Sequence, residues 1–381
     1  MGPPRRGGAM KILTMGVEEE FVLVDRVTRT PVNRAPEVIR RAQRELGEQV
    51  QAEFFNAQIE ICTAPTASRE HLREELSWLR TVVGTAARDE RCMPVACGTP
   101  VLSPEAPLTI TDTDRYRLMA RRFAPLVTRR DGTARDDSLV CGCHVHIGTL
   151  DRERALALAM HMRPWLPVLQ ALAGNSPYAG CRDTGYESWR SVEHARWPTV
   201  GPTPVLDEPQ YLAHVARLVA DGTLLDNRMV YWHARPSEHV PTLEIRLADT
   251  NADLDTVVLL AILARGLAAT LLTRVESSVP PPLIAGARLL RAHGLAAVQG
   301  LTGTGLDPVD GRERPATALL DELIEVARPG LTAADDLAWV RDQWERIRTD
   351  GGGAARQRAV YRRHGRLSAV VDSLAAATVG S

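Results

Sequence analysis

Two glutamates two positions apart, Glu18 and Glu20, stand in a segment whose neighbouring alternate positions, Leu13, Met15 and Val17, are apolar. Successive side chains of a strand point to opposite faces, so the two carboxylates share one face and the apolar side chains require burial on the other. Mg2+ prefers hard oxygen ligands at about 2.1 Å and completes its shell with water and substrate phosphate, so paired acids on a rigid strand suit it. The triplet Glu18, Glu19 and Glu20 taken alone is more often a solvated strand edge. A second acid, Glu60, interrupts an apolar run between Ile59 and Ile61 and therefore needs a partner. Glu53 lies seven residues before it, which in an unbroken strand would place the two on opposite faces. Both can reach one metal only through a bulge or a bend.

The segment Cys141-Gly-Cys143-His144-Val-His146 has the donor types of a zinc site. Strand alternation opposes that reading, because it sends Cys141 and Cys143 one way and His144 and His146 the other. The cysteines are expected to pack as small apolar side chains. The histidines either join the acids or form a hydrogen-bonded core pair. Thr242, Glu244 and Arg246 share a face opposite Leu243, Ile245 and Leu247. A carboxylate beside a guanidinium is either a structural ion pair or a metal ligand next to a phosphate contact. Asp249, Asn251 and Asp253 are expected to cap the helix that follows.

Two loops gather polar and aromatic groups suited to a small polar ligand: Ala173–Tyr178, with Asn175 and Ser176, and Asp183–Arg190, with Thr184, Tyr186 and Arg190. Trp232, His233 and Arg235 form another such cluster. The glycines at 351–353, followed by Arg356 and Arg358, either bring amides and guanidinium groups to a phosphate or make a hinge.

These residues must be positioned by regular elements. Alternation predicts strands over Lys11–Asp25, Phe54–Cys62, Leu139–Gly148 and Thr242–Leu247. Helical spacing predicts helices over Pro36–Leu46, Ser68–Asp89, Asp114–Arg130, Glu153–Leu172, Glu208–Ala220 and Thr256–Arg274, with a mostly helical remainder. The Gly-, Pro- and Arg-rich residues 1–9 read as a flexible tail, and residues 10–381 as a single catalytic domain. Unequal insertions between strands favour an α+β fold with an antiparallel sheet surrounded by helices over a doubly wound one.

With 46 basic and 47 acidic residues the net charge is −1, which offers no general attraction to nucleic acid or to an anionic membrane. The only lysine is Lys11, so a phosphate-binding loop built on Gly-Lys is excluded, and a nucleotide must be held by arginine, backbone and metal. Six cysteines without regular spacing, and no apolar leader, fit a cytoplasmic protein. The longest apolar stretch, Val257–Leu272, is interrupted by Arg265 and is too short to span a bilayer.

Together GVEEEFVLVD, FFNAQIEICT, HVHIG, GNSPYAG with DTGYESWR, RWPTVGP and PTLEIRLADT occur in an order that resembles the type-2 glutamate-cysteine ligase-like carboxylate-amine ligases, from about Gly16 to Thr250 and again at GAARQR. The resemblance implies a fold related to glutamine synthetase. It also implies an ATP-dependent ligase that forms an amide through an acyl phosphate, with ATP and two or three Mg2+ ions, or Mn2+ in their place. Small-molecule carboxylate and amine substrates, amino acids among them, and a homodimer are likewise implied. By the same resemblance Glu18, Glu20, Glu53, Glu60, His144 and Glu244 are metal ligands, with Glu60, Glu244 and Arg246 catalytic. Arg246, Arg356 and Arg358 would contact the nucleotide, and Asn175, Ser176, Thr184, Tyr186, Arg190, Trp232 and Arg235 the substrates. His233 stands where the family has Asp, and Ser191–Arg196 also departs from its pattern; both fall in the substrate region. Two other readings are a non-catalytic homologue that binds an amino acid or nucleotide, and a zinc hydrolase at the Cys-His segment.

Overall fold

The computed structural model describes residues 12–129, 131 and 133–380. The expected tail over residues 1–9, the start of order near Met10, and the outer ends of the expected elements at Lys11 and Arg130 lie outside the described residues.

One antiparallel sheet carries the chemistry-bearing residues. Its strands are β1 (Thr14–Asp25), β2 (Val50–Ala52), β3 (Gln58–Cys62), β4 (Cys92–Val95) and β5 (Gly142–Gly148), followed after a short β6–β7 hairpin (Tyr178–Ala179 and Arg182–Asp183) by β8 (Ala234–Pro236) and β9 (Thr242–Asp249). The order is β2-β3-β1-β5-β9-β8, with β4 pairing the far half of β1. On one face Met15, Val17, Val145, Ile147, Leu243 and Ile245 join a core with the helix Leu254–Glu276. The opposite face of the first half of β1 is left polar, as alternation requires. From Phe21 to Val24 every residue is buried, in a second core with the helices Ala35–Leu46 and Leu367–Val379.

The helices follow the expected spacing except at prolines. Ser68 caps the helix Arg69–Asp89 by accepting from the His71 N–H. The helix expected to run from Asp114 stops at Arg122 and restarts as Ala124–Val127, because Pro125 has no N–H and crowds the preceding turn. The expected helix Glu153–Leu172 is likewise two, Arg152–Met162 and Leu166–Ala173, separated at Pro164, with Pro167 in the first turn of the second. The strand expected over Phe54–Cys62 is shorter: β2 and β3 are joined by a reversal through Glu53–Ala57. Leu139–Cys141 precedes β5 instead of belonging to it. Leu254–Glu276 is long and apolar enough to cross a membrane, yet 89% of its most apolar window is buried inside the protein, and its Arg265 pairs with Asp336.

Candidate active site

Sheet register assembles the site. On the polar face Glu20 stands opposite Glu60, Glu18 opposite His144, and His146 opposite Glu244, on four adjacent strands, β3, β1, β5 and β9. Cross-strand neighbours of this kind have Cβ atoms about 5 Å apart, within reach of a shared cation. Glu53 joins them because the chain reverses between β2 and β3, so the bend that sequence parity demanded is a hairpin turn. Glu18, Glu20, Glu53, Glu60, His144 and Arg246 line one cavity of about 210 Å³. Two sets of donor atoms, Glu18/His144/Glu244 and Glu20/Glu60/His144, each lie within 4.8 Å of one another.

The acids differ in how the protein compensates them. Burial alone would raise the pKa of Glu18, but hydrogen bonds and charge from His144 and His146 outweigh it and hold the carboxyl far below its ordinary range. The contacts are 2.9 Å to His144 Nδ1 and 3.1 Å to His146 Nε2. Glu20 accepts from the Gly142 N–H at 2.6 Å. Glu244, 2% exposed, would also rise on burial, yet the guanidinium groups of Arg246 and Arg235 pull it well down. Arg235 Nε donates to it at 2.9 Å, and Arg246 pairs with it directly. Glu53 and Glu60 lack such relief. Burial, then the charge of Glu20, pushes Glu53 up to about 8, opposed by a 3.0 Å hydrogen bond from the Phe54 N–H. Glu60 is raised well above its ordinary value by burial and by Glu18, Glu53 and Glu20.

Buried carboxylates that repel one another are stabilised by protonation or by a bound cation. The donor set is carboxylate oxygen with one imidazole and no thiolate, which fits Mg2+ or Mn2+ and not a structural zinc site. Cys143 packs in the core shared with the helix Leu254–Glu276, and Cys141 in the other core beside Gln58. Both thiols are driven well above their ordinary value, chiefly by burial. The alternation argument placed both cysteines on one face, but Cys141 precedes the strand, and a bulge separates Cys143 from Val145 in the pairing with β9. The cysteines and histidines do not converge.

Glu19, between the two site acids, points to the other face and is fully buried in an ion pair with Arg80, at 2.6 and 2.9 Å. Arg80 also donates to the carbonyls of Asn251 and Ala252, at 2.7 and 3.0 Å, and so ties β1 to the turn after β9.

Cations and aromatics complete the cavity. Arg246 lies over the Tyr231 ring, 5.7 Å from its centroid, and its Nε is buried with no hydrogen-bond partner among the described residues. The Arg190 guanidinium donates to the Arg246 carbonyl at 3.2 Å, in space that a side chain at Gly142 would fill. Arg115, Tyr116, Trp197, Arg228 and Tyr231 line the same cavity. Of these, only Trp197 falls in a motif legible in the sequence, RWPTVGP; the other four carry no local signal of chemistry.

The remaining expected contacts are placed elsewhere. Asn175 and Ser176 are 1% exposed and spend their polar atoms within the chain: the Asn175 N–H and Ser176 Oγ donate to Asp249, at 2.9 and 2.6 Å. Thr184 Oγ1 donates to the Pro177 carbonyl. Trp232 packs against Tyr211 and His214. Arg235 acts as the brace of Glu244. Arg356 bonds the Gly351 carbonyl and faces Asp253, while Arg358 pairs with Asp183 and Glu187. None of these seven residues lines the acidic cavity, nor does Tyr186, whose ring meets Trp189 edge-on. Asp249 is a hub for the 173–190 loop and not a helix cap: Ser188 Oγ also donates to it, at 2.7 Å. Asn251 likewise turns back, donating to the Ala173 carbonyl. Asp253 does occupy the position that precedes the helix, where Thr256 and Arg346 bond to it.

The sequence profile of glutamate-cysteine ligase family 2 matches residues 14–373. A Salinispora arenicola protein provisionally named glutamate–cysteine ligase 2 is 42% identical over 379 residues, covering 99% of this chain and 98% of its own. A similarly named protein of Saccharopolyspora erythraea is 41% identical over 96% of this chain and 95% of its own. Among solved structures, the glutamate–cysteine ligase of Francisella tularensis, crystallised with AMP, superposes with a TM-score of 0.68 at 12% identity, over 97% of this chain and 90% of that one. A bifunctional glutathione synthetase from Pasteurella multocida gives 0.64 at 15% identity, over 96% of this chain and 52% of that one.

Proposed function

The chain belongs to glutamate-cysteine ligase family 2, a family of ATP-dependent ligases, and on that premise we propose that it joins a carboxylate to an amine through an acyl phosphate, releasing ADP and phosphate. The observation that carries this reading is the charge balance of the cavity: burial and mutual repulsion hold Glu53 and Glu60 above their ordinary values beside Glu18 and Glu20, in a cavity that Arg246 and Arg190 also line. Phosphoryl transfer is mostly a task of positioning and charge neutralisation, and a cluster of this kind is built for it.

In this reading Glu18, Glu20, Glu53, Glu60, His144 and Glu244 hold Mg2+ or Mn2+. When bound, the ions neutralise the phosphates of ATP. Arg246, fixed by Glu244 and Tyr231, has an unspent Nε for the transferred phosphoryl group. The substrate carboxylate oxygen attacks the γ-phosphorus, the bond to the bridging oxygen breaks, and ADP leaves. The amine nitrogen then attacks the acyl carbon, phosphate departs with the C–O electron pair, and the nitrogen loses a proton, which leaves the amide. Arg190, which lines the same cavity, would steer the substrates in this reading. Arg356 and Arg358, engaged with their own acids, brace loops in this reading.

Incubation with ATP, Mg2+, hydroxylamine and each common amino acid in turn is expected to yield ADP together with a hydroxamate for at least one carboxylate. ADP formed without hydroxamate, or no ADP across the panel, would contradict the proposal.

A further inference from the structure

A second cavity of about 620 Å³ lies beside the acidic one, and Arg190 and His194 line both. Its walls are largely apolar, with Val192, Val200, Leu247, Leu290 and Leu295; none of its lining residues is an acid, and its two guanidinium groups are engaged, Arg291 with Glu313 and Arg190 with the Arg246 carbonyl. One side is the helix Gly286–Gln299, where Leu290 and Val298 are exposed toward solvent at 58% and 39%. The departures from the family pattern seen in the sequence, His233 and the Ser191–Arg196 segment, fall here.

At its base runs a hydrogen-bonded relay. Gln170 Nε2 donates to Ser191 Oγ at 3.0 Å and to the His293 carbonyl at 3.3 Å; the carbonyl can only accept, which fixes the amide so that Gln170 Oε1 faces His293 Nδ1 at 2.5 Å. His293 must therefore donate from Nδ1. In a neutral ring that leaves Nε2 as acceptor, and it receives His233 Nδ1–H at 3.2 Å. Burial lowers the pKa of both rings, and the neighbouring charge of Arg190 adds to this for His233, so both are neutral. The relay ends on His233 Nε2, an acceptor that no hydrogen bond uses among the described residues.

A largely apolar cavity without acids, with His233 and its unused acceptor among the lining residues and a shared wall with the cluster that would hold the phosphates, has a definable occupant. We propose that it receives the side chain of the amine substrate: an uncharged, largely apolar group, larger than that of cysteine, that carries one hydrogen-bond donor. This rests on the ligase reading above. The amine nitrogen would reach the acidic cavity past Arg190 and His194, where the activated carboxylate waits.

The test compares hydroxylamine, methylamine, 2-phenylethylamine and tyramine as acceptors, each with ATP, Mg2+ and the amino acid panel, in the wild-type enzyme and two variants. Gly294 lines the cavity, and a Cβ built there meets nothing within 4 Å, so the backbone accepts a side chain at this position and Gly294→Phe adds bulk to the cavity wall. The wild type is expected to favour tyramine over methylamine at least tenfold in kcat/KM. Gly294→Phe should lower the ratio of tyramine to hydroxylamine turnover at least tenfold. His233→Phe should erase the preference for tyramine over 2-phenylethylamine, which differ only in the hydroxyl. Hydroxylamine turnover with no preference among the amines, or ratios that Gly294→Phe leaves unmoved, overturns this assignment while the ligase reading stands. Absence of hydroxylamine turnover in the wild type overturns both.

Discussion

Glu60→Gln is expected to cut carboxylate-dependent ADP formation by about 10²–10³-fold or more while making the metal-free chain more stable above neutral pH. The first effect follows from the loss of a charged ligand in a site whose task is charge neutralisation. The second follows from the sign of the titration. In the folded chain Glu60 is held well above its ordinary value of 4.5, and Glu53 rises from 4.5 to about 8. Between those values the folded state keeps a proton that the unfolded state has lost. Stability is therefore full below pH 4.5 and declines as pH rises, by about 1.4 kcal/mol per pH unit for each such group, until the folded value is passed. Glutamine keeps the shape of Glu60, carries no charge, and also relieves Glu53. In thermal melts without metal, wild type should lose stability from pH 5 to pH 8 and Glu60→Gln should lose less. Mg2+ should stabilise wild type most at pH 8 and the variant weakly. Full activity of Glu60→Gln, or equal melting behaviour at pH 8, would refute the role given to this acid.

Arg80→Met is expected to cost about 3–5 kcal/mol in a urea titration, the typical consequence of leaving one partner of a buried ion pair without the other. Both side chains are at most 1% exposed, so the charge of Glu19 would have no access to water. Two backbone carbonyls, of Asn251 and Ala252, would lose their donor as well. The double variant Glu19→Gln, Arg80→Met removes the stranded charge and should recover part of the loss. A single variant within about 1 kcal/mol of wild type would mean that the pair does not anchor β1.

The pair also explains how much of the site could be read in advance. Parity along β1 separates Glu18 and Glu20 from Glu19, and the structure sends the first two to the cavity and the third to the core. The same rule placed Thr242, Glu244 and Arg246 on one face. It failed where the backbone is not a regular strand. Glu53 reaches the cluster through a reversal centred on Asn56, and Cys141 lies ahead of its strand. The prolines at 125 and 164 divided two helices that apolar spacing alone ran together. Polar loops were harder, because a side chain's partner is set by distant sequence: Asn175 and Ser176 look like ligand contacts until Asp249, more than seventy residues later, is seen to take their hydrogen bonds. Arg356 and Arg358 are consumed by acids in the same way. Arg115 and Arg228 reach the cavity from elements with no local signal of chemistry. The histidine relay under the second cavity joins His233 to His293 across sixty residues.

The central claim is that one carboxylate oxygen is transferred to phosphate, because an acyl phosphate must form and then break at its C–O bond. The most direct measurement labels both carboxylate oxygens of the substrate selected by the hydroxylamine assay with ¹⁸O and follows the released phosphate by mass spectrometry during amide formation. One labelled oxygen per phosphate, in step with ADP, is the predicted result; unlabelled phosphate released alongside amide product would contradict it.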